Sequence, residues 1–453
     1  MARTFLVSRI ALAVALSSGL SLAVAPPALA AKKEKAPAVN FSDAFRKAAG
    51  PIQEAISGAA SKLPANAGPT DLAAAKSQID AALGGDGKAA LEATLPAATT
   101  PDDKNALGSF MRNYGIIAQD AAFKQRGTLL MIESGKAGAS IGSLNYDAGV
   151  TAYQAKDYAG AATYLKAAKD AGYQDPNGQL DMVLVDAYKR SGNSAAALQM
   201  AKDEIAAAQA QGKAPAETTL RTALQETYSA KQLAPSLEYA ALLGQYYPQA
   251  WDVAISVVGQ LAGLPRDQDV DLMRLKYLTN AMSEKRDYFL FLEDVDPRAY
   301  PGEALKVLES GIAKGKLTAA EVTTEKAEIS ARVGADRASL PSTAASAMNP
   351  GASVGVVTGA GDLFLSYDDP AKAETFYAKA LGMPGADANK VALRLGMAQV
   401  MQGKHAEAQA NFAKVTGTRA AVAKMWDAYA KSKAPASAPA APSAAPTAPA
   451  AAD

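Results

Sequence analysis

Glu293-Asp294-Val295-Asp296 sets three carboxylates within four positions, directly after the apolar run Tyr288 to Leu292. Two carboxylates a few ångströms apart could serve as acid and base on a glycosidic bond, or together hold calcium. Pro297 follows, so the stretch reads as a helix end or a loop. His405 is the only histidine; a general base or metal ligand needs partners that its surroundings, Gly403 to Ala408, do not offer, and it reads as a turn residue. The chain has no cysteine, which removes thiol catalysis, thiolate metal sites and disulfides together. No phosphate-binding glycine loop and no His-Glu-x-x-His segment occurs. No catalytic residue, cofactor or metal is expected.

The elements that must position any functional group are repeated. Gly361 and Phe364 are followed by Ala373, Tyr377 and Ala380; Leu395 and Gly396 are followed by Gly403, Ala408 and Phe412, and both Gly361 to Gly396 and Ala373 to Ala408 span 35 residues. A period of this size marks helical hairpins, each of which buries its apolar face only against the next. Small residues let the two helices of a hairpin cross closely, and aromatics fill the space between hairpins. Upstream, Gly149, Tyr153, Asp157, Tyr158, Ala161, Leu165 and Ala168 repeat the pattern, followed by Leu184, Tyr188, Gly192 and Ala197. A third copy uses Leu224, Tyr228 and Leu237, with Leu233, Ala234 and Pro235 standing where the turn is expected.

These residues resemble the tetratricopeptide repeat, whose pattern runs Leu-Gly, an aromatic, Gly-Asp-Tyr near the turn, then Ala, an aromatic and Ala. The resemblance covers residues 103–431, with its best units at 145–176, 177–212, 358–383 and 392–416. It implies an all-α fold, a right-handed α-solenoid of stacked hairpins, that binds a protein or peptide. In that family the first helix of each hairpin lines a groove. Carried over by position, this gives Tyr146, Val150 and Tyr153 in the first upstream unit, Asp186, Lys189 and Arg190 in the next, and Glu226 in the third. Tyrosines supply contact area at low entropy cost, and Lys189 or Arg190 could anchor a carboxylate. The corresponding positions of the last unit are Leu393, Met397 and Val400. They should be covered by the helix around Trp426 and Tyr429, because terminal repeats need a cap.

The ends of the chain carry their own signals. Arg3 and Arg9, the apolar run Ile10 to Ala25 and Ala28-Leu29-Ala30 read as an export signal over residues 1–30, cleaved after Ala30, for a periplasmic or secreted protein. Without cysteine there is no lipid-bearing residue at that site. Residues 433–453, almost all Ala, Pro and Ser, read as a disordered tail. Residues 31–100 read as an N-terminal helical segment, with helices Phe41 to Leu63 and Asp71 to Leu95 forming either a hairpin or a loosely held arm. The repeat region, 101–432, opens with the stripe Leu107, Phe110, Met111, Tyr114 and Ile117. Ser339 to Gly355 reads as a hinge, from Pro341, Pro350 and Gly351.

The chain carries 46 basic and 45 acidic residues, a balance that argues against a nucleic-acid binder. Past the signal no stretch approaches the ~20 apolar residues of a membrane span. The expected function is a scaffold or adaptor for a protein partner in the bacterial cell envelope. The alternatives are a helical enzyme acting on cell-wall glycan, with Glu293 and Asp296 as its acid and base, and a periplasmic chaperone.

Overall fold

The computed structural model describes residues 39–434, so the expected export signal and cleavage after Ala30, the start of the N-terminal segment and the expected tail beyond Ala434 lie outside the described residues. Among the described residues the fold is all-α: twenty-one α-helices, four short 3-10 turns and no strand. None of these helices is long and apolar enough to cross a membrane. The chain divides into two compact units at Ser194. The first holds α1 (Asp43–Ala60), α2 (Pro69–Ala82), α3 (Gly87–Ala93), α4 (Pro101–Ile117), α5 (Ala121–Glu133), α6 (Ile141–Gln154), α7 (Tyr158–Asp170) and α8 (Leu180–Arg190). At the boundary α9 (Ser194–Ala210) begins. The second unit continues with α10 (Glu217–Ser229), α11 (Leu233–Tyr246), α12 (Trp251–Ala262), α13 (Arg266–Leu278), α14 (Lys285–Val295) and α15 (Pro301–Ala313). It ends with α16 (Thr323–Met348), α17 (Val354–Ser366), α18 (Pro370–Leu381), α19 (Ala388–Met401), α20 (His405–Phe412) and α21 (Ala420–Lys433).

The hairpins share one turn. Gln119, Lys156, Lys231 and Asp368, and the glycines Gly192 and Gly403, all have positive φ. In each case the next amide bonds five residues back: Asp120 to Gly115, Asp157 to Ala152, Gln232 to Thr227 and Asp369 to Phe364, all at 2.9 Å. This satisfies the last carbonyls of one helix. Where the following residue is aspartate it caps the next helix: Asp120 accepts from the Phe123 N–H, Asp157 from the Gly160 N–H and Asp369 from the Lys372 N–H, at 2.9, 2.9 and 3.1 Å. In the third copy the turn falls two residues earlier than read, at Lys231-Gln232-Leu233. Leu233 to Pro235 is the first turn of α11, where proline costs no hydrogen bond.

Close crossings sit where the repeat places its glycines. A methyl group on Gly149 would stand 2.6 Å from Leu165, on Gly361 2.6 Å from Tyr377, and on Gly396 2.5 Å from Phe412, each partner sixteen residues on. The marker alanines Ala161, Ala197, Ala373 and Ala408 are fully buried.

Two expectations change and one that was open is decided. The stretch Asp71 to Leu95 is two helices, because Gly84 and Gly85 turn the chain with φ of +82° and +104°. Gly68 is the N-cap of α2, and Asp71 bonds back to the Gly68 N–H at 2.8 Å from the third helical position. The N-terminal helices pack rather than wave: Phe45, Ile52, Ile56, Ile79 and Leu91 form one core with Leu107, Phe110 and Tyr114 of α4. Buried Asp103 fastens the entering strand of chain, accepting from the Ser42 N–H at 3.0 Å and the Thr100 N–H at 3.0 Å. Ser339 to Met348 is no hinge but the continuation of α16, which runs through Pro341. Its alanine-rich composition keeps the helix despite the donor that Pro341 lacks.

Within the second unit, contacts reach beyond neighbours. Helix α21 packs on α11, α12 and α13 as well as on α19 and α20. Leu393, Met397 and Val400 are buried in the same core as Trp426, so the apolar positions of the last hairpin are covered as expected.

Candidate functional site

Six of the seven groove positions lie in the first unit, and most are already engaged. The Tyr146 hydroxyl donates to Asp175 at 3.2 Å, and its ring lies 4.8 Å from that of Tyr173. Burial and the Asp175 charge push Tyr146 up to about 12. Val150 and Lys189 are half-buried. Tyr153, Tyr158, Asp186 and Arg190 form one cluster: the Tyr153 hydroxyl donates to Asp186, Arg190 pairs with Asp186 at 2.6 Å, and its guanidinium lies 5.3 Å over the Tyr158 ring. Burial raises the Asp186 carboxyl, but the hydrogen bonds from Tyr153 and Arg190 outweigh it and hold it below the ordinary carboxylate range. The cluster bridges α6 and α7 to α8, and Arg190 remains half-exposed. A carboxylate ligand reaching Arg190 must therefore displace Asp186. The seventh position, half-buried Glu226 on α10, belongs to the second unit.

These bonds belong to a wider ladder. In the first unit Lys88 reaches Asp120 across 32 residues and Tyr153 reaches Asp186 across 33. In the second unit Tyr228 reaches Gln260, Tyr247 the Pro215 carbonyl, Gln249 Glu217 and Gln402 the Pro370 carbonyl, each across 32 residues. Other bonds between helices are shorter or longer in span, 29 residues for Arg274–Glu303 and 35 for Arg112–Asp147.

The acidic run near α14 is arranged differently from its sequence reading. Glu293 is exposed and paired with Arg266. Asp296 ends α14 in the left-handed region, φ 49°, and accepts from the Arg298 N–H at 3.1 Å. The perturbed carboxyl is Asp294, which shares a hydrogen bond with Asp269 of α13. Burial first, and then the Asp269 charge, push it up to about 7. Its Oδ2 is buried and meets no donor. Nearby, an open cleft of about 760 Å³ is lined by Asp252, Ser256, Lys276, Ser283, Asp287 and Phe289. Buried Lys276 spends its ammonium on Asp252 at 2.9 Å, Asp287 at 2.7 Å and Ser256 at 3.1 Å, which closes the polar floor of the cleft on itself.

Sequence reading missed two features. Gly138 to Gly142 and Gly351 to Gly355 both match Gly-x-Ser-x-Gly, but Ser140 and Ser353 sit at helix N-caps with no strand before them, and the Ser353 hydroxyl accepts from the Val356 N–H at 3.4 Å. A nucleophile elbow needs a strand-to-helix turn and a histidine partner. His405 opens α20, far along the chain from both, with its Nδ1 buried and unbonded.

The second is a buried charge network in the second unit. Arg394 of α19 bonds Asp362 of α17 at 2.7 Å and Asp271 of α13 at 3.2 Å. Asp271 also pairs with Arg274 at 2.8 Å, and Arg274 forks onto Glu303 of α15 at 2.8 and 2.7 Å. The Trp426 indole N–H donates to the Asp271 carbonyl at 2.8 Å, and Arg419 pairs with Asp267. Burial opposes the charge on Asp362, yet Arg394, Lys390 and the Tyr377 hydroxyl keep it below its ordinary value. Burial and Asp362 push Tyr300 up to about 12 and Tyr377 well above its usual value. Every charge here is answered by another, as burial requires.

Among the described residues, no group of three or more acidic or histidine side chains is placed to hold a metal ion. No protein-family model matches the chain, and no curated protein is similar to it in sequence.

Proposed function

We propose that this is an exported helical-repeat protein of tetratricopeptide-repeat type, a stack of hairpins that works by binding another protein in the bacterial envelope as a scaffold or adaptor. The observation that supports this reading is a set of side-chain bonds joining helices about one repeat apart in sequence, as Lys88–Asp120, Tyr153–Asp186 and Tyr228–Gln260 do across 32 or 33 residues and Arg112–Asp147 across 35. A chain built by repetition spends its folding energy on joints and presents long side-chain rows to partners. The shared αL turn and the glycine crossings support the same reading. Export rests on Arg3, Arg9, the apolar run and Ala28-Leu29-Ala30.

The surface offered in the first unit is the Tyr153–Tyr158–Asp186–Arg190 cluster, where half-exposed aromatic area lies beside a charge pair that a ligand carboxylate can enter. In-cell crosslinking of the tagged chain, with mass spectrometry of what is captured, tests the proposal. One dominant envelope partner, lost with Tyr153→Ala or Arg190→Glu, is the expected result. Release of soluble fragments from purified peptidoglycan that stops with Glu293→Gln would overturn it.

A further inference from the structure

The connection between α7 and α8 carries the chain's single Asn-Gly step, Asn177-Gly178. Both residues are exposed, and the Asn177 side-chain amide makes no hydrogen bond among the described residues. Glycine has no Cβ to shield its amide nitrogen, and its backbone freedom lets that nitrogen swing onto the side-chain carbonyl carbon of the residue before it. Every other asparagine of the chain is followed by a residue with a side chain.

The turn around this step holds the nitrogen back. Gly178, at φ +63°, donates its N–H to the Asp175 carbonyl at 3.0 Å. The Asp175 carboxylate accepts from the Asn177 N–H at 3.0 Å, the Gln179 N–H at 2.6 Å, the Leu180 N–H at 3.0 Å and the Tyr146 hydroxyl at 3.2 Å. One half-buried carboxylate thus fixes the turn, the start of α8 and a side chain of α6. The Gly178 nitrogen has to leave the Asp175 carbonyl before it attacks, so the reaction waits on local opening of this turn.

We infer that Asn177 is a modification site, converted without an enzyme to isoaspartate and aspartate at a rate set by how firmly Asp175 holds the turn. The Gly178 nitrogen passes its proton to solvent base and bonds to the Asn177 Cγ; the bond from Cγ to the side-chain nitrogen breaks, and ammonia leaves with a solvent proton, closing a succinimide. Water then opens the ring. Opening at the main-chain carbonyl carbon leaves isoaspartate, with one more backbone carbon, and opening at Cγ leaves aspartate. Either product sets a new carboxylate two residues from Asp175, where like charges repel. Isoaspartate also shifts the Gln179 and Leu180 amides relative to Asp175, which loosens the acceptor of the Tyr146 hydroxyl.

The full chain, purified and held in mildly alkaline buffer, is sampled over days by peptide mapping, with mass-spectrometric fragmentation that separates isoaspartate from aspartate. Conversion at Asn177 ahead of every other asparagine, with isoaspartate among the products, is expected. Asn177→Gln, which would need a larger ring, should abolish it, and Gly178→Ala should slow it several-fold. Asp175→Ala, which frees the turn, should speed it several-fold, towards the rate of a free peptide spanning residues 171–181. An Asn177 that stays intact while the free peptide converts, another asparagine reacting first, products without isoaspartate, or a rate indifferent to Asp175→Ala overturns the inference.

Discussion

The cluster around Tyr153 in the first unit and the network around Asp271 in the second use the same ingredients, tyrosine, carboxylate and arginine, to opposite ends. Asp186 and Arg190 are solvent-reached and join hairpins adjacent in sequence. Asp271 and Arg394 are buried and lie 123 residues apart. An exposed pair adds little stability and can exchange its partner for a ligand. A buried pair cannot lose one member without stranding the other. The first arrangement suits an adaptable binding surface, and the second locks helices that a simple stack would leave independent of each other.

The sharpest way to break this contrast is Arg394→Met, which leaves Asp271 and Asp362 both without their shared partner; a loss of about 3–5 kcal/mol is expected from urea unfolding. Arg190→Met, by contrast, should leave the unfolding midpoint unmoved while weakening partner capture. If the two variants cost the same, the contrast fails.

Next in size is Gly361→Ala. Its methyl would stand 2.6 Å from a Tyr377 ring whose hydroxyl is tied to Asp362 at 2.7 Å and cannot yield, so about 1–3 kcal/mol should be lost. Gly149→Ala meets Leu165 at Cγ, 2.6 Å, and at the backbone N, 3.0 Å, neither of which can swing aside, and should cost a similar amount by the same assay.

A smaller effect is read from pH. The Asp294 carboxyl stands at about 7 in the folded chain against an ordinary 3.8, so the folded state keeps a proton that the unfolded state releases. The contribution of Asp294 is full below pH ~4 and is lost as pH rises towards 7, whereas carboxyls held below their ordinary range, such as Asp362, lose theirs as pH falls. Asp294→Asn should flatten that slope in thermal unfolding followed across this range; a slope that survives would assign it to other groups.

The all-α class and the hairpins were legible because glycine, alanine and aromatic spacing report close crossings directly: Gly361 faces Tyr377 and Gly396 faces Phe412 at the same interval. The turn at Lys231 was displaced in the reading because proline in a first helical turn looks like a breaker in sequence. Pro341 misled in the same way inside α16. The Tyr153 cluster was found through the family pattern, though nothing in spacing says that Asp186 and Arg190 occupy each other. The Asp271 network was invisible. Arg394 sits between Leu393 and Met397 in a helix buried on all sides, where periodicity carries no signal. A charged residue is ordinarily read as solvent-facing, and of its two partners Asp271 lies 123 residues away and Asp362 is itself buried in another helix.

Buried charges fasten α13 to α17 and α19, and the Trp426 indole ties α21 to α13, so that these helices open as one body. Native-state hydrogen exchange of the full chain tests it most directly. Amides of α13, α19 and α21 should share one opening free energy, Arg394→Met should lower it for all three together, and α6 to α8 should be untouched. Separate opening of α19 and α21 while α13 stays protected would contradict it.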